Sequence, residues 1–184
     1  VQTPESPKLE LISHPAFPPL AVKRIVGSIT AKGDDWLHLR WRVVGADIVL
    51  IPPFAGKRRA DGLWRTTCFE LFAMVGEGPN YAEFNFSPSE AFAAYDFDTY
   101  REGMRERALP RAPILSWRGG RSGLAIMDVA IPRESVPSGK IGLSAVIEEE
   151  GGTKSYWALA HAPGDPDFHH PTCFAATLAA PNRP

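Results

Sequence analysis

Cysteine is scarce in this chain of 184 residues, which holds only Cys68 and Cys173. Two thiols cannot supply the disulfide framework of small secreted domains, and their separation fits neither a zinc site nor a Cys-x-x-Cys-His haem attachment. Either both are buried and pack as small hydrophobes, or they form one bridge tying the last strand to the region of Trp64. Long apolar runs are also missing. No stretch approaches the roughly 20 residues of a membrane-spanning helix, and no signal-peptide apolar region is visible, so a cytoplasmic protein without a membrane partner is expected. Charge of one sign does not prevail either. Lys and Arg number 20 against 21 Asp and Glu, a formal net charge of -1, and a nucleic-acid partner is not expected. Enzyme signatures are lacking too: there is no Gly-x-Ser-x-Gly, no phosphate-cradling glycine loop before a helix and no His-Glu-x-x-His. Spacing alone does not exclude paired carboxylates for glycoside hydrolysis, since these meet only in space.

Eighteen prolines and sixteen glycines lie among short apolar runs, and 44% of residues are apolar. Frequent turns between short strands predict an all-β protein, and the length suits one domain over 1–184. The expected architecture is an antiparallel β-sandwich, immunoglobulin-like or jelly-roll, of about nine to eleven strands.

The chain is organised around Asp61 to Ser87. A strand over Thr66 to Val75 sets Phe69, Leu71 and Ala73 on one face and Cys68, Glu70, Phe72 and Met74 on the other. After a turn at Gly76 to Asn80, the return strand sets Ala82, Phe84 and Phe86 toward a core and Tyr81, Glu83, Asn85 and Ser87 away from it. Glu83 and Asn85 project the same way and can reach one ligand, and Arg65 stands at the entrance. Glu70, set among Phe69, Leu71 and Phe72, reads as a carboxylate buried against an arginine or as one facing a ligand.

Other hairpins are expected from Val22 to Val44 around Gly33-Asp34-Asp35, from Ile114 to Ile131 around Gly119 to Gly123, and from Ile141 to His161 around Gly151-Gly152. Leu37, Leu39, Trp41 and Val43 alternate with His38, Arg40 and Arg42, which makes Trp41 core and the arginines a solvated face. Short strands are expected at Leu9 to Ser13, Asp47 to Ile51, Phe92 to Tyr100 and Thr172 to Leu178. His14 reads as a surface histidine and Glu148 to Glu150 as a solvated turn.

Leu63-Trp64 followed by Thr67-Cys68-Phe69-Glu70-Leu71-Phe72, Tyr81-x-Glu83-Phe84-Asn85-Phe86-Ser87-Pro88 and Ala94-Tyr95-x-Phe97-x-x-Tyr100-Arg101-x-Gly103-Met104 carries a resemblance, as do Tyr156 to His161, Asp167 to Pro171 and Cys173-Phe174-Ala175. These runs resemble a bacterial group of DOMON-like domains, in the superfamily of the family nine carbohydrate-binding modules. The resemblance implies a β-sandwich that binds sugars in some members and haem in others and catalyses nothing itself. It further implies a tryptophan clamp, which assigns Trp64 as a stacking platform with Trp117 or Trp157 across from it.

A carbohydrate is thus the leading ligand class, since an aromatic face covers the C-H side of a pyranose while Arg65, Glu83 and Asn85 bind hydroxyls. Should Arg58, Arg101 and Arg118 converge, an acidic or phosphorylated sugar would fit. No resident cofactor is expected. The second class is non-covalent haem, with His161, His169, His170, Met74 and Met127 as axial candidates, although core filling also explains both methionines. Asp165, Asp167, His169 and His170 could hold a metal, or their loop could simply fold over the sheet. A protein-interaction surface without a small ligand is the third reading.

Overall fold

The computed structural model describes residues 7–32, 35–119 and 122–181. The expected turn residues Gly33, Asp34, Gly120 and Arg121 and the two tails lie outside them. Thirteen strands form: β1 (Lys8–Ser13), β2 (Arg24–Lys32), β3 (Trp36–Val44), β4 (Arg58–Arg59), β5 (Cys68–Met74), β6 (Tyr81–Phe86), β7 (Ala91–Phe97), β8 (Arg105–Glu106), β9 (Ile114–Gly119), β10 (Leu124–Pro132), β11 (Gly139–Glu149), β12 (Thr153–Ala158) and β13 (Ala176–Leu178). Among the described residues helix is confined to three single 3-10 turns, Leu63–Arg65, Arg133–Ser135 and Pro171–Cys173.

The strands make one continuous path, β4-β7-β6-β5-β11-β12-β1-β2-β3-β10-β9, with β8 attached to β7 and β13 to β11. β1 is the corner. Its first residues pair with β2 and its last two with β12, so one short strand joins both halves. The path curls until the halves face each other: the Trp41 ring of β3 lies 5.5 Å from Phe69 of β5 and 6.3 Å from Phe86 of β6. The sheet is mixed, not purely antiparallel as expected, because β4 runs parallel to β7. A two-residue strand reached from a loop can join an edge in either direction, whereas a hairpin arm cannot.

Alternation determines the core. Leu37, Leu39, Trp41 and Val43 are buried between the halves with Phe69, Leu71, Ala73, Phe84 and Phe86, while Arg40 turns outward to Asp128. β6 is buried along its entire length, however. Its second face, with those of β5, β7 and β11, lies under a second apolar layer that includes Phe72, Tyr81, Phe97, Phe168 and Phe174. Gly142 of β11 makes the close approach of that layer possible, since a β-carbon there would stand 2.7 Å from the Cys173 carbonyl oxygen. Gly142→Ala should therefore push back the turn carrying Phe174 and lower stability by about 1–3 kcal/mol, read as a fall in urea midpoint at unchanged slope.

Several local expectations change. Asp47 to Ile51 contributes one bridge, Val49 to Glu149, not a strand. Thr172 to Leu178 begins as a 3-10 turn before β13. His14 is buried, its ring 4.9 Å from His161 and 5.9 Å from Phe17. Glu149 is fully buried: one carboxylate oxygen accepts the Leu20 N–H at 2.7 Å, the other those of Ala21 at 2.7 Å and Val22 at 3.1 Å. Cys68 and Cys173 are free buried thiols.

Candidate functional site

A cavity of ≈ 630 Å³ lies between the second face of the β4-to-β12 half and the segments that cover it. Its floor is β-sheet. Tyr95 of β7 pairs across to Glu83 of β6, which pairs to Phe72 of β5, and beside this row Asn85 pairs with Glu70, which pairs with Ser144 of β11. Val146, Tyr156 and Phe97 extend the floor. The walls come from distant parts of the chain: Phe17, Trp64, Arg101, Met104 and the loop Asp165 to His169.

Asp167 fastens that loop. Its carboxylate accepts from the Tyr100 hydroxyl, from Arg101 Nη2 at 2.7 Å and from the His169 backbone N–H at 3.1 Å. Burial alone would raise its pKa, but the hydrogen bonds from Tyr100 and Arg101 outweigh it and hold Asp167 below the usual carboxylate range. Arg101 has φ 59, a left-handed conformation costly for a residue with a side chain, and this directs its N–H onto the Tyr81 hydroxyl at 3.1 Å. The same hydroxyl meets His169 Nδ1 at 2.7 Å, and His169 Nε2 stands 3.7 Å from Glu83 Oε2. Burial pushes His169 down to about 4, so the imidazole is neutral at pH 7.

Glu70 and Glu83 share the floor, 2% and 5% exposed. Of the two readings of Glu70, the arginine partner is absent among the described residues; its hydrogen bond is from Ser144 Oγ at 3.4 Å. Glu83 accepts Asn85 Nδ2 at 2.8 Å. Burial, and for Glu70 the neighbouring charge of Glu83, makes ionisation costly: Glu70 is raised well above the ordinary range and Glu83 to about 7. Asn85 is itself fully buried, and its Oδ1 has no hydrogen-bond partner.

Of the residues expected from sequence, Trp64 stands half exposed at the rim and Glu83 on the floor, with Asn85 beside it. The Arg65 guanidinium lies over the Trp64 ring, 5.7 Å from its centroid. Trp117 and Trp157 are elsewhere. Trp117 packs on Phe69 between the two halves, 5.8 Å from ring to ring, and Trp157 is buried in the same core with its indole N–H on Ser155 Oγ at 2.9 Å. Alternation explains this: Tyr156, one position away, is the β12 residue that faces the cavity. Arg101 and Arg118 do not converge, the first being tied to Asp167 at the cavity and the second to Asp128 on the opposite half.

Among the haem candidates, only His169 lines the cavity; Met127 is core, Met74 is packed beside the second layer, His161 packs on His14, and His170 caps the Thr172 N–H. No three His, Cys, Asp or Glu side chains gather as a metal cluster among the described residues. Sequence reading missed Phe17, Tyr95, Phe97, Tyr156 and Phe168 as cavity residues. The alternation of β7 carried a signal for Tyr95 and Phe97; nothing local marked Phe17 or Phe168.

No family model matches the chain. No curated protein matches it either. Among solved structures it is similar to a putative carbohydrate-binding protein from Bacteroides uniformis, with a TM-score of 0.62 at 14% identity over 91% of this chain and 84% of that one. At that identity the likeness establishes a shared all-β fold.

Proposed function

We propose that the protein is a non-catalytic binding module, one sandwich-like domain that takes a carbohydrate or related small polar ligand in the cavity above β5, β6 and β7. The observation that carries this reading is the combination of a half-exposed Trp64 at the rim with buried polar groups, Glu83 and Glu70, on the floor. An aromatic plane takes the apolar face of a sugar ring while floor groups bind hydroxyls. In this reading Trp64 is the platform, Arg65 steadies its ring, and Glu83 and Asn85 are the polar partners. The solved structure that shares the fold is itself described as a putative carbohydrate-binding protein, which supports the same class.

The carboxyl pair argues against glycoside hydrolysis. That chemistry needs one carboxyl held ionised and one held protonated, whereas burial pushes both Glu70 and Glu83 up, and the charge of Arg101 offsets this for Glu83 only in part.

Trp64→Ala should weaken sugar binding by about 2 kcal/mol, roughly thirtyfold in Kd, through loss of stacking and burial. Tryptophan-fluorescence titration against a sugar panel, with haemin as comparison, reads it. Saturable quenching by a sugar, weakened in the variant, supports the reading; haemin binding with no response to any sugar would overturn it.

A further inference from the structure

The cavity holds two carboxyl groups on adjoining strands, and among the described residues neither has an Arg or Lys hydrogen-bonded to it. In the β5·β6 register Glu70 faces Asn85 and Glu83 faces Phe72, so the two acids are diagonal neighbours on one face, within roughly 7 Å at their β-carbons. Among the described residues no Lys or Arg lies within ion-pair distance of Glu70 or Glu83; Glu83 has His169 Nε2 at 3.7 Å, and Arg101 is occupied by Asp167. Asp165 adds a third acid to the lining. Two buried carboxyls without an ion-pair partner are held toward their neutral forms, and a cation placed between them would let them ionise. The chain could have filled these positions with apolar residues, as it does at Phe72 and Val146 alongside.

The walls answer the same need. Trp64, Phe72, Tyr95 and Tyr156 present ring faces or edges to the cavity, and aromatic rings attract a cation as well as the C-H face of a sugar. A metal ion fits poorly, because two carboxyls leave most of its coordination shell to aromatic carbon. An organic ammonium fits well: it is a small positive group with several N–H donors, attached to a body that stacks.

The geometry points to an amino sugar as the ligand, its ammonium seated between Glu70 and Glu83 and its ring against Trp64. This rests on the carbohydrate reading above and adds to it the charge of the ligand. Asn85 fits the same arrangement, since it donates to Glu83 Oε1 and leaves the other oxygen of that carboxyl for the incoming N–H.

Calorimetric titration of the intact protein at pH 7 would compare glucosamine, galactosamine and mannosamine with their parent hexoses, their N-acetyl derivatives and tetramethylammonium. At least one amino sugar should bind about 10- to 100-fold more tightly than both its neutral counterparts, the usual effect of one charge-assisted hydrogen-bonded pair. Glu70→Gln with Glu83→Gln, which keeps shape and removes charge, should bring that preference to within about threefold, with circular dichroism confirming an unchanged fold. A parent hexose bound as tightly as its amino sugar would overturn the inference and leave the carbohydrate reading standing. Tetramethylammonium bound with every sugar silent would overturn the carbohydrate reading and the amino-sugar assignment with it. A preference that survives the double substitution would also overturn the assignment, and because the ligand comparison is made first on the unaltered protein, the test does not depend on how well the variants fold.

Discussion

Glu149→Ala is expected to lower the unfolding free energy by about 3–5 kcal/mol, while Glu148→Ala and Glu150→Ala on either side change it by less than about 0.5 kcal/mol. The Glu149 carboxylate is fully buried and satisfies three consecutive backbone N–H groups, those of Leu20, Ala21 and Val22, from 127 or more positions away. Bonds to a carboxylate acceptor contribute roughly 1.5–3 kcal/mol each, and alanine leaves the buried Val22 N–H and the part-buried N–H groups of Leu20 and Ala21 without that partner. The individual contributions do not simply add, because one carboxylate serves all three. Glu149→Gln separates charge from shape. One oxygen serves Leu20 and the other serves Ala21 and Val22, so whichever way the amide turns, its NH2 faces at least one N–H donor. Glutamine should therefore recover little of the loss. Phe17 belongs to the same strap, three positions before Leu20, and its ring packs 5.1 Å from Tyr156 at the cavity. Ligand affinity should fall with stability in both variants, whereas a Glu149→Gln protein as stable in urea as the unaltered one would show that the Glu149 carboxylate does not hold Leu20, Ala21 and Val22 in place.

Glu149 also illustrates how far the sequence can be read. Ile141, Leu143, Ala145 and Ile147 alternate, and one further step along the same strand falls on Glu149. Period two alone put it on the core face; its charge and the acidic neighbours argued for a turn tip, and the period was right. The same rule sorted β3, β5 and β6, where every apolar residue on the inner face is in the core. It could not show that the outer face of β6 is covered too. That cover comes from residues such as His169, 88 positions from its partner Tyr81, and no local pattern reports a contact of that separation. Alternation also sends Trp157 into the core and Tyr156 to the cavity, so ranking candidates by residue type alone selects the wrong neighbour. Burial of His14 under Phe17 and His161 is tertiary in the same way.

The second large effect is on the pH dependence of stability, where three cavity groups oppose one another. Glu83 holds its proton to about 7 in the folded protein against an ordinary 4.5, so between those values the folded state carries the extra proton and stability falls as pH rises, by about 1.4 kcal/mol per unit and about 3 kcal/mol in all. His169 acts in the opposite sense. Lowered from 6.5 to about 4, it is neutral in the folded state while the unfolded chain is protonated, so its contribution grows with pH over 4 to 6.5 and nearly cancels that of Glu83. Glu70, raised well above its ordinary value, decides the sign. The unliganded protein should lose stability as pH rises from 5 to 7, because Glu70 adds a loss that His169 does not offset. His169→Gln should steepen that decline below pH 6.5 by about 1.4 kcal/mol per unit. Glu70→Gln with Glu83→Gln should reverse it, leaving stability that rises from pH 4 to 6.5 on His169 alone, whose shift comes from burial and Arg101 and not from either glutamate. Urea midpoints at half-unit intervals from pH 4 to 8 measure all three profiles, and a double variant that still loses stability with rising pH would show that the carboxyl pair is not its source. A ligand that brings an ammonium supplies the cation the pair lacks and draws both glutamates back toward ionisation. At saturating amino sugar the decline with rising pH should therefore flatten in the unaltered protein, while the profile of the double variant should not respond to the sugar, which joins the stability of the fold to the charge of what the cavity holds.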